Sequence, residues 1–264
     1  MIETFQRQIT AVLDRLWNTQ SPQIKRAAAM MADSIAADGL VHVYGSGHSV
    51  LPVMDIFPRY GSYVGFHPMM DARLMWTSVL DAGGVKELLW LERTEGYAKI
   101  FLATQDLAPG DVTLIFSHGG LNAAGIEVAT GCQARGLRVV GVTSLDNARQ
   151  RKATHSSGKR LADVCDLVID NCVPGEDALV PVEGVSGKVA AGSTVACITI
   201  GMALVAEVAS QLRQRGITPQ PFVSPNVAEV GSDNNEGVFR DYQARRLRHL
   251  RRPGQSATEF PAAR

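Results

Sequence analysis

Short apolar runs alternating with helical stretches constrain this chain more than any other feature. The runs occupy 40–44 (LVHVY), 62–66 (SYVGF), 111–117 (DVTLIFS), 137–143 (LRVVGVT) and 164–170 (VCDLVID). Each is short and apolar with β-branched or aromatic residues, which makes it a strand candidate, and helices fit between most of them. Buried strands joined by helical crossovers imply a parallel sheet covered on both faces, a three-layer α/β architecture. The 264 residues fit one large domain of that kind, which we assign to residues 39–248.

Ahead of the sheet, residues 1–38 read as a helical extension made of two helices. Phe5, Ile9, Val12, Leu13 and Leu16 recur at helical spacing. Ser21 and Pro22 read as the cap and first-turn proline of a second helix that ends at Gly39. Apolar stripes this wide on an extension point to a homodimer. Residues 189–206 carry no charge and are rich in Gly, Ala, Ser and Thr, so they read as a buried helix rather than a membrane span. Five arginines within 245–252 are expected to form a solvated helix end leading into a flexible tail, 249–264.

Composition removes several classes of function. Lys plus Arg is 26 and Asp plus Glu is 26, so no net field draws in nucleic acid or an anionic membrane. Cys132, Cys165, Cys172 and Cys197 form no C-x-x-C pair, which fits reduced thiols in a cytoplasmic protein. The opening MIETFQRQITAVLDRLW is charged throughout and lacks the apolar core of a secretion signal. His48, Asp55, His67 and Asp71 cluster in sequence. Their spacing is not that of a zinc motif, so no metal and no cofactor is expected.

In an open parallel sheet, ligands bind beyond the carboxyl ends of the strands, and two turns stand out there. Gly45, Ser46, Gly47, His48 and Ser49 follow the first run. Glycines let the backbone turn sharply and present N–H groups, while Ser46 and Ser49 add hydroxyls. Val50 stands where a dinucleotide fingerprint needs its third glycine, and no G-K-[ST] of a P-loop follows. Ser117, His118, Gly119, Gly120, Leu121 and Asn122 close the third run, with Asn122 placed to cap a helix over 123–134. Two such turns suit a small phosphorylated ligand held by main-chain amides and hydroxyls. Ser193 and Thr194, ahead of the uncharged helix, are either a cap or further hydroxyl ligands.

GSGHS at 45–49, SHGGLN at 117–122 and the strand from Arg138 to Thr143 resemble the SIS (sugar isomerase) domain family, over roughly residues 21–248. LERTEGYA at 91–98, HSSGKR at 155–160, DLVIDN at 166–171, SPNV at 224–227 and DYQARR at 241–246 resemble its UPF0309-type branch. The resemblance implies a flavodoxin-like five-stranded sheet, a phosphosugar ligand and dimerisation with sites near the interface. The family pattern for the second turn is Ser-x-Ser-Gly-x-Thr/Ser, and Gly119 and Asn122 stand in place of its second Ser and its Thr.

Aldose–ketose interconversion needs a carboxylate to move a proton between adjacent carbons, and an acid or base to open the sugar ring. Glu92 and Glu95 lie at i, i+3, so on a helix they share one face. Glu95 before Gly96 resembles a catalytic glutamate of N-acetylmuramic acid 6-phosphate etherases. His155 resembles the ring-opening histidine of glucosamine-6-phosphate synthases. No histidine occurs between Val189 and Leu212, where phosphoheptose isomerases carry one. The implied function is a sugar-phosphate isomerase of carbohydrate metabolism, working through an enediol with Glu95, Glu92 and His155 catalytic. A sugar-phosphate sensor and a phosphosugar lyase or etherase are the alternatives.

Overall fold

The central strands are buried at nearly every position, and their successive side chains enter two separate cores, one on each face of the sheet. The computed structural model describes residues 1–226, 231 and 233–252. Val41–Gly45 (β1), Phe66–Met69 (β2), Val112–Phe116 (β3), Arg138–Thr143 (β4) and Leu167–Asp170 (β5) form a parallel sheet in the order β2-β1-β3-β4-β5. The helices are Ile2–Ala36 (α1), Val50–Ile56 (α2), Val85–Leu91 (α3), Tyr97–Leu102 (α4), Ala123–Gln133 (α5), Leu145–Gln150 (α6), Leu161–Val164 (α7), Ser193–Gln214 (α8) and Asn234–His249 (α9). Val43, Leu114, Phe116 and Val140 face one side, where they join a core with α1, α2 and α8. Tyr44, Met69, Ile115 and Val139 face the other, toward α4, α5 and Leu161 of α7. This is the flavodoxin-like order, and its direction of winding reverses between β1 and β3.

Four sequence expectations change. First, α1 is a single helix with Pro22 inside it. Ser21 does not cap a second helix; its hydroxyl donates back to the Trp17 carbonyl at 2.6 Å. Leu16, Ile24, Ala27, Ala28, Met31 and Ala32 form one continuous buried stripe, much of it against α8. Burying Leu16, Ile24 and Met31 contributes about 1.5–3 kcal/mol each, which offsets the roughly 3 kcal/mol cost of an interior proline. From Leu16 to Ala32 the stripe is covered within its own chain.

Second, β2 begins where the 62–66 run ends. Gly65 has φ +145°, and a Cβ there would lie 2.6 Å from Ile35 Cδ1. Its carbonyl accepts the Val41 N–H at 2.8 Å, which brings the chain onto β1, and strand pairing runs from Phe66, while Tyr63 bridges to Pro221. Third, the start of the uncharged segment is not helical. Ala178–Pro181 (β6) and Lys188–Ala191 (β7) form an antiparallel hairpin, and β7 is exposed along its length. Helix α8 starts only at Ser193. Among the described residues it is the one helix long and apolar enough to cross a membrane, and its buried side packs on α1 and α2.

Fourth, the arginine-rich end is not a solvated helix terminus. Arg245 donates to the Ile35 and Gly39 carbonyls at 3.1 and 2.8 Å, which caps the carbonyl end of α1. Arg246 pairs with Asp106 and Arg248 with Asp38. His249 and Arg252 reach Asp111, just before β3, at 2.6 and 2.7 Å. The chain is thus anchored to the sheet as far as Arg252; Val227 and residues 253–264 lie outside the described residues. Asp111 is fully buried and also accepts from His42 at 2.9 Å and from two backbone N–H groups. Burial alone would raise its carboxyl, but the hydrogen bonds from His249 and His42 win and hold it far below the ordinary carboxylate range.

Candidate functional site

Gly45 is the last residue of β1 and pairs with Phe116, the last of β3. The bends 45–49 and 117–122 therefore leave the sheet side by side at the point where its winding reverses. Both bends depend on glycine. A Cβ on Gly45 would lie 2.1 Å from the Ser49 carbonyl oxygen. Gly120 has φ +60°, and a Cβ there would lie 2.6 Å from Thr143 Oγ1. Gly119 faces open space, so the side chain missing relative to the family pattern leaves room rather than a clash.

Glu92 joins the two bends. It is 6% exposed; its Oε2 accepts from the Ser46 hydroxyl at 2.8 Å, and its main-chain carbonyl accepts from the N–H of Ala124 in the first turn of α5 at 3.0 Å. Burial raises the Glu92 carboxyl above the ordinary range, against opposition from Ser46, Arg93 and Asn122 beside it.

Glu95 lies elsewhere, which corrects the expectation of one shared helix face. Helix α3 stops at Leu91, Glu92 is its C-cap, and Glu95 follows in a turn leading to Gly96 at φ +88°. The Glu95 carboxylate accepts from Ser156 N and Oγ at 2.7 and 2.5 Å. These two bonds hold its carboxyl below the usual range. His155 Nε2 lies 3.9 Å from Glu95 and 3.6 Å from Glu127 of α5. Arg93, Glu95, Asn122, Thr154 and His155 line a cavity of about 370 Å³ beside the second bend.

The remaining expected residues divide. Ser49 N–H donates to the Ser46 carbonyl at 3.0 Å, and Ser117 Oγ accepts the Gly120 N–H at 3.2 Å, so both serines brace their own bends. Gly47 takes φ +58° in the first bend, and His48 is exposed with its ring edge-on to Trp76 at 4.4 Å. The His118 carbonyl accepts from Ser144 N and Thr143 Oγ1, and its ring Nδ1 accepts from Asn171 at 3.2 Å. Burial lowers the His118 pKa, with nearby Asp177 opposing. Ser193 donates its hydroxyl to Asp177 at 2.8 Å, and Asp177 also accepts the Gly192 and Ser193 N–H groups. A carboxylate therefore already occupies the start of α8, where Thr194 is half-buried. His48, Asp55, His67 and Asp71 do not converge: Asp55 pairs with Arg59, His67 with Tyr242, and Asp71 with Arg73 and Tyr97.

Asn171, Asp177 and Glu127 were not singled out from sequence. Asn171 directly follows β5, so it lies beyond the carboxyl end of a strand as the two bends do. Asp177 sits just before the unforeseen hairpin, and Glu127 lies on a helix face that only the packing of α5 selects.

The SIS domain family model matches residues 4–144. A UPF0309 protein of Listeria monocytogenes serotype 4b is 33% identical over 234 residues, covering 89% of this chain and 92% of its own. A UPF0309 protein of Caldanaerobacter subterraneus subsp. tengcongensis is 34% identical over 253 residues, covering 95% of this chain and all of its own. Among solved structures, a phosphoheptose isomerase from Francisella tularensis aligns with a TM-score of 0.52 at 14% identity, covering 78% of this chain and 95% of its own. One from Neisseria gonorrhoeae aligns with a TM-score of 0.51, also at 14% identity, over 79% and 97%. The chain belongs to the SIS domain family and, within it, to the UPF0309 proteins.

Proposed function

We propose that this protein binds a phosphosugar across the two bends and interconverts its aldose and ketose forms. The phosphoryl group lies against the main-chain amides of 45–49 and 117–122. The sugar carbons extend toward Glu92 and the cavity lined by Glu95 and His155. Glu92 takes the proton from C2 and returns it to C1 through an enediol. We assign it this role ahead of Glu95 because a buried carboxylate with a raised pKa is a stronger base than an exposed one held down by Ser156. His155 and Glu95 serve ring opening. The observation that carries the reading is Glu92 itself, a nearly buried acid tied to both bends.

The test is exchange at C2 of a panel of aldose and ketose phosphates in deuterated water. The wild-type protein is expected to incorporate deuterium into at least one of them, and Glu92→Gln is expected to bind that compound without exchange. Exchange that persists in Glu92→Gln removes Glu92 from the reaction.

A further inference from the structure

The two segments that carry Glu95 and His155 are held by a third residue, Glu127. Its carboxylate accepts the Gly96 N–H at 2.7 and 3.0 Å, and it is the nearer of the two carboxylates to His155 Nε2. The contacts close a ring. Glu95 leads along the backbone to Gly96, Gly96 donates to Glu127, Glu127 faces His155, and His155 leads to Ser156, which donates twice to Glu95. Two segments distant in sequence thus meet at one carboxylate on α5.

The tautomer of His155 follows from the same geometry. His155 Nδ1 takes the Ser157 N–H at 3.1 Å and lies 2.7 Å from the Ser157 hydroxyl, which can donate to it or accept from it. The N–H on one nitrogen and the Glu127 carboxylate facing the other together place the proton of the neutral ring on Nε2. Nε2 is buried and makes no hydrogen bond among the described residues. At 3.6 Å from Glu127 it stands just beyond hydrogen-bond reach. His155 also lines the cavity, as do Glu95 and Arg93, the other charged groups there.

We propose that Glu127 is a positioning residue, which holds the Nε2–H of His155 beside Glu95 at the cavity and fixes the Gly96 turn that carries Glu95. The role rests on the isomerase reading, in which the His155 and Glu95 that it positions serve ring opening. It also explains why a carboxylate stands on this face of α5, where it satisfies a backbone donor on one side and orients an imidazole on the other.

Nitrogen-15 NMR of the full-length protein without any sugar tests this directly. At a pH where the ring is neutral, His155 of the wild type is expected as the Nε2–H tautomer alone. Glu127→Ala is expected to give a mixture of tautomers and to speed exchange of the Gly96 amide by about tenfold or more, the loss expected for a charge-assisted bond. In Glu127→Gln the side-chain carbonyl can still accept the Gly96 N–H and turn its oxygen toward the Nε2–H, so slow Gly96 exchange and the tautomer are both expected to be kept. An Nδ1–H tautomer in the wild type overturns the proposal even if neither variant folds. So does an unchanged tautomer and Gly96 exchange rate in Glu127→Ala. No substrate enters the measurement, so failure to isomerise sugars leaves this result standing, and the converse holds too.

Discussion

The Ser46 hydroxyl donates to Glu92 Oε2 at 2.8 Å, across forty-six positions of sequence. This bond ties the first bend to the end of α3, and the Ala124 N–H on the Glu92 carbonyl ties α3 to the second. A buried acid becomes the meeting point of two loops that the sheet topology had already brought side by side.

Glu92→Gln should lower any isomerase activity by about 10²–10⁴-fold, the usual worth of a positioned acid–base group. Because burial raises the Glu92 pKa, wild-type turnover should rise with pH through a value above the ordinary glutamate range. Stability should run the other way. The folded state holds this proton more tightly than the unfolded one, so the contribution of Glu92 is greatest at low pH and declines as pH rises through its folded pKa. Denaturant melts of both proteins across pH 4–8 should therefore show Glu92→Gln gaining relative stability with rising pH.

Asp111→Asn should cost about 3–5 kcal/mol at neutral pH, because it removes the anion shared by buried His42 and His249 and half-buried Arg252. The folded pKa of Asp111 is depressed. Its stabilisation is therefore fully present above the unfolded value, near 3.8, and fades as pH falls below that toward the folded value. Urea unfolding at pH 7 and pH 3 should show the gap between wild type and variant narrowing at the lower pH.

Pro22→Ala should raise stability by about 1–3 kcal/mol, since the proline sits inside one continuous helix. A loss of stability would instead mean that Ser21 and Pro22 start a separate helix.

Gly120→Ala should destabilise the fold by more than about 1 kcal/mol, because a residue at φ +60° meets Thr143 Oγ1 at 2.6 Å. Thermal melts should show the loss, and Gly119→Ala, which faces open space, should melt as the wild type does.

The sheet and both bends were legible in the sequence because strand periodicity and Gly/Ser turns are local signals. The runs ending at Tyr44 and Ser117 fall within a residue of the true β1 and β3 ends. Other features were not legible. The break expected at Pro22 was overridden by burial against α8, a contact more than 170 residues away in sequence that no local pattern encodes. The shared face of Glu92 and Glu95 failed because spacing fixes a face only while the helix lasts, and α3 ends at Leu91, before either glutamate. The arginines of α9 looked like solvent-facing charge, since Asp38, Asp106 and Asp111 lie far upstream and only the fold brings them to the helix. Asp177, Asn171 and Glu127 matter through partners in other segments, and single-residue reading does not reach them.

The most direct measurement is an amide chemical-shift titration of the nitrogen-15-labelled protein with aldose and ketose 6-phosphates and with inorganic phosphate. The account predicts that at least one sugar phosphate shifts the amides of 45–49 and of 117–122 together, with a single saturation curve, and that phosphate follows the same pattern more weakly. Shifts confined to one bend, or centred on another part of the surface, would contradict it.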